Sequence, residues 1–319
     1  MAVRASIIIV TWNAAPLIAD VLAALAAQTV RPDRILVVDN GSDDLAQLTE
    51  TVARFPACEL LALGSNTGFA AANNAGIARC GDSEHIVLLN PDAFPEPRWL
   101  EALLAAADAH PQYGSFASRM LDHANDTLLD GAGDTLSLAG KPRRRGYGEP
   151  ASGRYQSPEP VFAACAAAAL YRRADLERTG GFDERFFCYV EDVDLGFRLL
   201  LQNRPCRYVP DAVVRHMGSA LTGRRSDFSI YHGQRNLVGN YVKNMPPLLF
   251  WLCLPLHLAL NAGYLVAAAL TGRGAVMWRA KRDAVRMLPE MWRSRREIQA
   301  ARQASTWTVL RYLGGRVRS

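Results

Sequence analysis

Through the first ninety residues, short apolar runs alternate with stretches whose hydrophobic residues recur at helical spacing. The run ASIIIVTW is β-branched, too short for a helix and closed by Asn13, which predicts a buried strand. PLIADVLAALAAQ follows, with Leu17, Val21, Leu22 and Leu25 on one helical face and Pro16 near its start. RILVVDNGS predicts a second strand ending in a turn, CELLALG a third, GFAAANNAGIARC a helix and HIVLLNPD a fourth strand. Strands alternating with helices imply βαβ units, and hence an α/β fold with a mostly parallel central sheet covered on both faces. In such sheets ligands bind beyond the carboxyl ends of the strands. Polar clusters fall there: Thr11 and Asn13, Asp39 to Ser42, Gly64 to Gly68 with Asn66 between them, then Asn90 and Asp92. Each cluster alone is an ordinary turn composition; four together favour one site.

The second half reads differently. Residues 120–160 are rich in Gly, Pro and Arg and predict a loop region, after which FAACAAAALYRR predicts a buried strand or a short helix. From Asn244 to Gly272 there is no Asp, Glu, Lys or Arg. That stretch is long enough to cross a membrane, which takes about 20 apolar residues, but Pro255 interrupts it and His257 and Asn261 sit near its middle. Arg273, Arg279, Arg282 and Arg286 follow directly, which keeps the tail on the cytoplasmic side. A full crossing would separate tail from body, so a hairpin or interfacial helix pair dipping into the membrane surface is expected. A buried helix of the globular fold, or of a dimer interface, is the alternative. The expected division is a body over 1–243 and a hydrophobic, basic helical region over 244–319.

Charge sharpens that division. Residues 273–319 carry twelve Lys/Arg against three Asp/Glu, so a tail of +9 follows a body of −4 in a chain of net +5. A basic tail points to an anionic partner, and beside an apolar stretch an anionic membrane surface is expected rather than nucleic acid. A solvated helix face is the plainer reading of the same charge run. The six cysteines are scattered without a Cys-x-x-Cys pair, which argues against a zinc site or a disulfide framework. The apolar run near the start has a strand's length rather than that of a signal-peptide core. A cytoplasmic protein, peripherally attached to the inner face of the cytoplasmic membrane, is expected. G-x-G-x-x-G and G-x-x-x-x-G-K-[ST] are both missing after the first strand, where VTWNAAP stands, so dinucleotide-binding oxidoreductases and phosphate-loop enzymes are disfavoured.

SIIIVTWN, VVDNGS, NTGFAAANNAGI, LLNPDA, GGFDERFFCYVEDVDLGFRL and HMGS occur in this order. Together they resemble family 2 glycosyltransferases, and among these the rhamnosyltransferase-like bacterial branch, over about residues 5–245. The resemblance implies the GT-A-type nucleotide-diphospho-sugar transferase fold, inversion at the anomeric carbon and a divalent cation, Mn2+ or Mg2+. It implies a dTDP- or UDP-sugar donor and a saccharide or lipid-linked acceptor in cell-surface polysaccharide synthesis.

A carboxylate at Asp39 suits a pyrimidine N–H or a ribose hydroxyl, and Gly41 permits the tight turn beside it. Adjacent Asn73 and Asn74 inside a helix need polar partners, and the resemblance turns Asn74 toward the nucleotide, with Thr11, Asn13, Asn66 and Gly68 around it. LLNPDA stands where the family has Asp-x-Asp, with Asn90 in place of the first acid. Asp92 keeps the carboxylate that would meet the cation, Asn90 remains able to bond ribose or water, and His216 resembles a further ligand. From Glu191 the pattern reads as a helix start, with acids in the first turn and Leu195, Leu199 and Leu200 buried. By resemblance Asp192 is the base for the acceptor hydroxyl, Glu191 orients the acceptor, Asp194 is structural and Arg235 closes over the diphosphate. A catalytically inactive, membrane-associated sugar-nucleotide-binding protein of the same fold is the alternative that Asn90 leaves open.

Overall fold

The computed structural model describes residues 3–218 and 226–314. Ser219, the last residue of HMGS, and Arg316 and Arg318 of the basic tail lie outside them. The first half runs β1 (Val3–Thr11), α1 (Ala15–Ala26), β2 (Arg34–Asp39), α2 (Leu45–Ala53), β3 (Cys58–Ala62), α3 (Phe69–Arg79), β4 (Ser83–Leu89), β5 (Ala93–Pro95) and α4 (Trp99–Ala109). β6 (Ser115–Asp122), β7 (Leu129–Gly131), β8 (Asp134–Leu136), β9 (Pro142–Arg144), β10 (Glu159–Val161) and β11 (Ala168–Arg172) follow. The remainder is α5 (Arg173–Thr179), α6 (Glu191–Leu201), β12 (Cys206–His216), α7 (Asp227–Asn244), α8 (Pro247–Leu270), α9 (Gly274–Ala300) and α10 (Thr306–Tyr312).

The main sheet has the order β10-β12-β6-β11-β4-β1-β2-β3. β1 to β4 are mutually parallel, whereas β11 runs antiparallel between β4 and β6. β1 shows why the sequence builds such a layer: Ile7 and Ile9 enter one core, Ile8 and Val10 the other. A strand covered on both faces needs this unbroken apolar run. α1, α2 and α4 supply the first core, and α3, α5 and α6 the second.

The stretch expected as a loop holds four short strands, β7 to β10, including the β8–β9 hairpin. Their brevity and their Gly, Pro and Arg content hide the strand period. FAACAAAALYRR resolves as strand β11, because alternate residues there face opposite cores: Ala168 and Leu170 the first, Ala169 and Tyr171 the second. The short β5 pairs antiparallel with the end of β12, Ala93 opposite His216, which brings the predicted Asp92 and His216 side by side.

The C-terminal helices join the body through a third core, where Leu136, Phe162 and Phe197 meet Tyr241, Met291 and Val309. α8 and α9 form a hairpin joined at residues 271–273. The outer face of α8 leaves Trp251 at 64% and Leu252 at 65% exposure. This face is not buried within the body of this chain.

A buried ionic knot fastens α7 to α6. Lys243 lies 2.5 Å from Asp183 and 2.9 Å from Asp194; Arg198 donates to Asp194 at 2.9 Å and Asn244 donates to it at 2.7 Å. Asp194 is the structural acid expected of it. Lys243→Met leaves two buried carboxylates short of a cation, and its expected cost is about 3–5 kcal/mol, measured by urea unfolding against wild type.

Candidate active site

Beyond the ends of β1, β2 and β4 opens a cavity of about 510 Å³, within the range of small-molecule sites. Asn66, Gly68, Asn90, Asp92, Glu191, Asp192 and His216 all line it, from chain positions far apart.

Asp92 and His216 are each 4% exposed. His216 Nδ1 lies 2.7 Å from Asp130 Oδ2. A proton shared there leaves Nε2 free to act as a ligand. Nε2 stands 3.3 Å from Asp92 Oδ1, and neither atom has an aligned hydrogen-bond partner among the described residues. Burial opposes a charge on His216, but the hydrogen bond to Asp130 and the nearby carboxylate of Asp92 outweigh it and raise its pKa. Two buried, unsatisfied ligand atoms of the N and O type facing one cavity fit a divalent cation.

A second cluster lies within the same walls. Oxygens of Asp134 and Asp192 and Cys165 Sγ lie within 4.8 Å of one another. Arg144 already serves them, with one Nη donating to Asp130 at 2.6 Å and the other to Cys165 at 2.9 Å. A Cβ at Gly131 would lie 2.7 Å from the Arg144 stem, so the glycine leaves room for this arginine. The cation already present makes this cluster a poorer metal site than Asp92 with His216.

Glu191 and Asp192 open α6 and differ in their surroundings. Glu191 is buried and its Oε2 has no hydrogen-bond partner among the described residues. Burial and the neighbouring Asp192 raise its pKa well above the carboxylate range. Asp192 is half-buried and accepts N–H bonds from Ala166 at 3.1 Å and Val193 at 2.8 Å. Burial raises its pKa too, against the pull of those N–H groups. Environments that separate two adjacent carboxyls in this way divide acid from base.

Other expected positions lie differently. Asp39 is buried with its carboxylate turned onto its own turn, accepting from the N–H of Gly41 and of Ser42 at 3.2 Å each. It does not line the cavity, and neither do Thr11 and Asn13; the wall there is Val10, Trp12 and Asn40. Asn13 Oδ1 accepts from Asp43 N–H at 2.8 Å, while Thr11 Oγ1 is buried without a partner among the described residues. Three carboxyls converging at 39, 92 and 192 were expected; two of them share the cavity.

Asn74 corrects a second expectation. It donates to Phe182 O at 2.8 Å and Glu184 at 2.9 Å, and accepts from Phe182 N–H at 2.9 Å. Its polar partner is the protein, so it ties α3 to the segment before α6 instead of facing the cavity. Arg235 likewise donates to Arg185 O and Phe186 O, at 2.9 Å each, and stays off the cavity wall. Among the described residues, the Lys and Arg side chains that do line it are Lys141, Arg143 and Arg144. Sequence reasoning missed these, together with Asp130, Asp134 and Cys165. The signal available was LDGAGD, two glycines bracketed by acids.

The glycosyl transferase family 2 model matches residues 6–180, and the chain belongs to that family: it is a glycosyltransferase with a GT-A-like fold. It is 32% identical over 239 residues, 68% of this chain and 77% of the relative, to the N-acetylglucosaminyl-diphospho-decaprenol L-rhamnosyltransferase of Mycobacterium tuberculosis. It is 26% identical over 220 residues, 67% of this chain and 66% of the relative, to an O-antigen chain rhamnosyltransferase of Salmonella typhimurium. Among solved structures, a mannosyltransferase from Pyrobaculum calidifontis in complex with GDP-Man and Mn2+ matches with a TM-score of 0.56 and 21% identity. That match covers 97% of this chain and 86% of the other.

Asp134 provides a pH test of the cluster. Its pKa is pushed up to about 8, first by burial and then by Asp192. A raised carboxyl pKa means the folded state holds a proton the unfolded state releases, so stability falls from the unfolded value near pH 4 up to about pH 8. Asp134→Asn removes that penalty. Its melting temperature is expected to match wild type near pH 4, exceed it increasingly up to about pH 8 and then level off, read by calorimetry.

Proposed function

We propose that the chain is an inverting, metal-dependent glycosyltransferase that moves a sugar, rhamnose by its relatives, from a dTDP- or UDP-sugar to a lipid-linked or membrane-proximal saccharide. Cell-surface polysaccharide synthesis at the cytoplasmic face of the membrane is the setting. The observation that carries this reading is that Glu191 and Asp192 share one cavity with Asp92 and His216. Base and cation ligands are thereby brought to the same substrate.

Inversion takes one displacement, with the acceptor oxygen entering opposite the departing diphosphate. Asp192, fixed by two backbone N–H groups, takes the acceptor's proton. General-base help of this kind contributes about 10²–10⁴-fold. Glu191, whose burial favours the protonated form, orients the acceptor through a hydrogen bond. Asp92 and His216 would hold a divalent cation, which would supply Lewis-acid neutralisation of the diphosphate. Lys141 and Arg143 add positive charge along the same wall. Asn66, Gly68 and Asn90 shape the donor side, and Thr11, Asn13 and Asp39 brace the turn behind it. Arg235 and Asn74 support the segment that precedes the catalytic acids.

In this reading residues 1–243 perform transfer and 244–319 meet the membrane. α8 is long and apolar enough to cross a bilayer, and only 22% of its most apolar window is buried. Arg273, Arg279 and Arg282 stand exposed beyond its end, placed for anionic headgroups.

Asp192→Asn is expected to abolish sugar transfer while leaving nucleotide-sugar affinity within about twofold of wild type. Asp92→Ala is expected to lose Mn2+-dependent donor binding instead; calorimetry with dTDP- and UDP-sugars, with and without Mn2+, separates the two. Full turnover by Asp192→Asn would overturn the base assignment. Slow donor hydrolysis without acceptor distinguishes an enzyme from an inactive binder. For the membrane contact, Trp251→Ser combined with Leu252→Gln is expected to reduce co-sedimentation with phosphatidylglycerol vesicles severalfold. Unchanged sedimentation would count against the apolar face as the anchor.

A further inference from the structure

A second cavity, about 830 Å³, lies between α7, α8 and α9. Val238, Leu258, Leu265, Val285 and Trp292 are among its apolar walls, and Arg293 and Arg296 also line it. Its one lysine, Lys281, has unusual company. Lys281 Nζ donates to Gln234 O at 2.9 Å, to Gln234 Oε1 at 2.8 Å and to Asn261 Oδ1 at 2.5 Å. All three acceptors are neutral, and no described carboxylate lies within ion-pair distance of it. All three N–H groups are thus taken, but by neutral acceptors that leave the charge unbalanced; an anion that replaced one of them would supply the missing counter-charge.

Lys281 and Gln234 stand between the two cavities. Gln234 lines the catalytic cavity and bonds Lys281, which lines the groove. Tyr264 also lines the catalytic cavity, and its ring has Lys141 Nζ at 5.4 Å and Lys281 Nζ at 5.9 Å. Moving outward there is therefore a sugar-sized cavity with carboxylates, then a seam with two lysines about one tyrosine, then an apolar groove beside the exposed face of α8. A molecule with a sugar at one end, an anionic link and a long hydrocarbon chain has its parts in that order.

We propose that Lys281 binds the diphosphate of an isoprenoid-diphosphate-linked acceptor and that the α7–α8–α9 groove receives the first units of its hydrocarbon chain. The inference rests on the reading of the acceptor as a lipid-linked saccharide and names the residues that would read its link and its tail. The unbalanced charge of Lys281 and its closeness to the first cavity through Gln234 select this occupant over a plain fatty chain, which needs no cation, and over free pyrophosphate, which needs no groove.

The test uses the full chain and farnesyl diphosphate, with farnesol and inorganic pyrophosphate as controls, in equilibrium binding. Farnesyl diphosphate is expected to bind at least about tenfold more tightly than either control. Lys281→Gln keeps amide donors for Gln234 and Asn261, so the fold is retained; it is expected to erase the preference over farnesol, and Lys281→Arg to keep it. Val285→Trp, which fills the groove, is expected to weaken farnesyl diphosphate and leave pyrophosphate unchanged. Equal binding of farnesyl diphosphate and farnesol by wild type, or unchanged binding by Lys281→Gln, overturns the site. Transfer from dTDP-rhamnose to a farnesyl-diphosphate-linked N-acetylglucosamine keeps the two readings apart. A raised KM at unchanged kcat in Lys281→Gln supports the site, whereas an unchanged KM overturns it and leaves the reaction standing. Farnesyl diphosphate binding as described, with no transfer to any acceptor, upholds the site and overturns the proposed reaction.

Discussion

Lys243 sits between two buried carboxylates, Asp183 and Asp194, and the geometry of the catalytic cavity follows from that placement. Asp194 lies in the first turn of α6, two residues beyond Asp192. Asp183 caps the short helical turn at Glu184–Phe186 by accepting from the Arg185 N–H. One ammonium on α7 thus fixes both ends of the segment that carries the acids into the cavity. Such a knot adds little net stability over a packed apolar core, because desolvation offsets most of the attraction. What it supplies is position.

That position is strained. Phe187, Tyr189 and Val190 all have positive φ, at 64°, 69° and 71°, a region that costs a non-glycine residue on the order of 1–3 kcal/mol. Asn236 of α7, fully buried, donates to the carbonyls of Phe186, Cys188 and Tyr189 at 2.7, 3.0 and 2.7 Å. Arg235 beside it holds Arg185 and Phe186. The turn therefore depends on α7, which packs extensively against α9. Helices that look like an appendage in composition are part of what aims Glu191 and Asp192.

The parallel half of the fold was legible because strands covered on both faces need an unbroken apolar run, and β1, β2 and β4 carry one each, Ile7–Val10, Ile35–Val38 and Ile86–Leu89. Asp92 and Glu191 with Asp192 were legible as acids at a strand end and a helix start. What escaped has a physical cause in each case. Asn74 reads as a ligand-facing asparagine because a helix-interior amide demands a partner, and the sequence does not say whether protein or ligand supplies it. Asp39 reads as a nucleotide carboxylate, yet the two N–H groups of its own turn take its oxygens. Arg144, Asp130 and Asp134 were hidden because strands of three residues give no period to read, and their meeting depends on pairings across the sheet. His216 was visible only as a motif; its place beside Asp92 comes from the register of β5 against β12.

The charge pattern of the cavity then makes sense as a division of labour between walls. Asp134, Asp192 and Glu191 crowd three carboxyls into a largely buried site, where burial raises the pKa of each and favours the protonated form. Arg144 relieves part of that pressure from below while bonding Asp130, and Asp130 in turn orients His216 toward Asp92. One arginine therefore couples the side that would hold the cation to the side that would take the proton. A diphosphate entering along Lys141 and Arg143, as the proposed function requires, would meet a cavity whose negative charge is already partly neutralised, so that donor and carboxylates would share the same small volume without mutual exclusion.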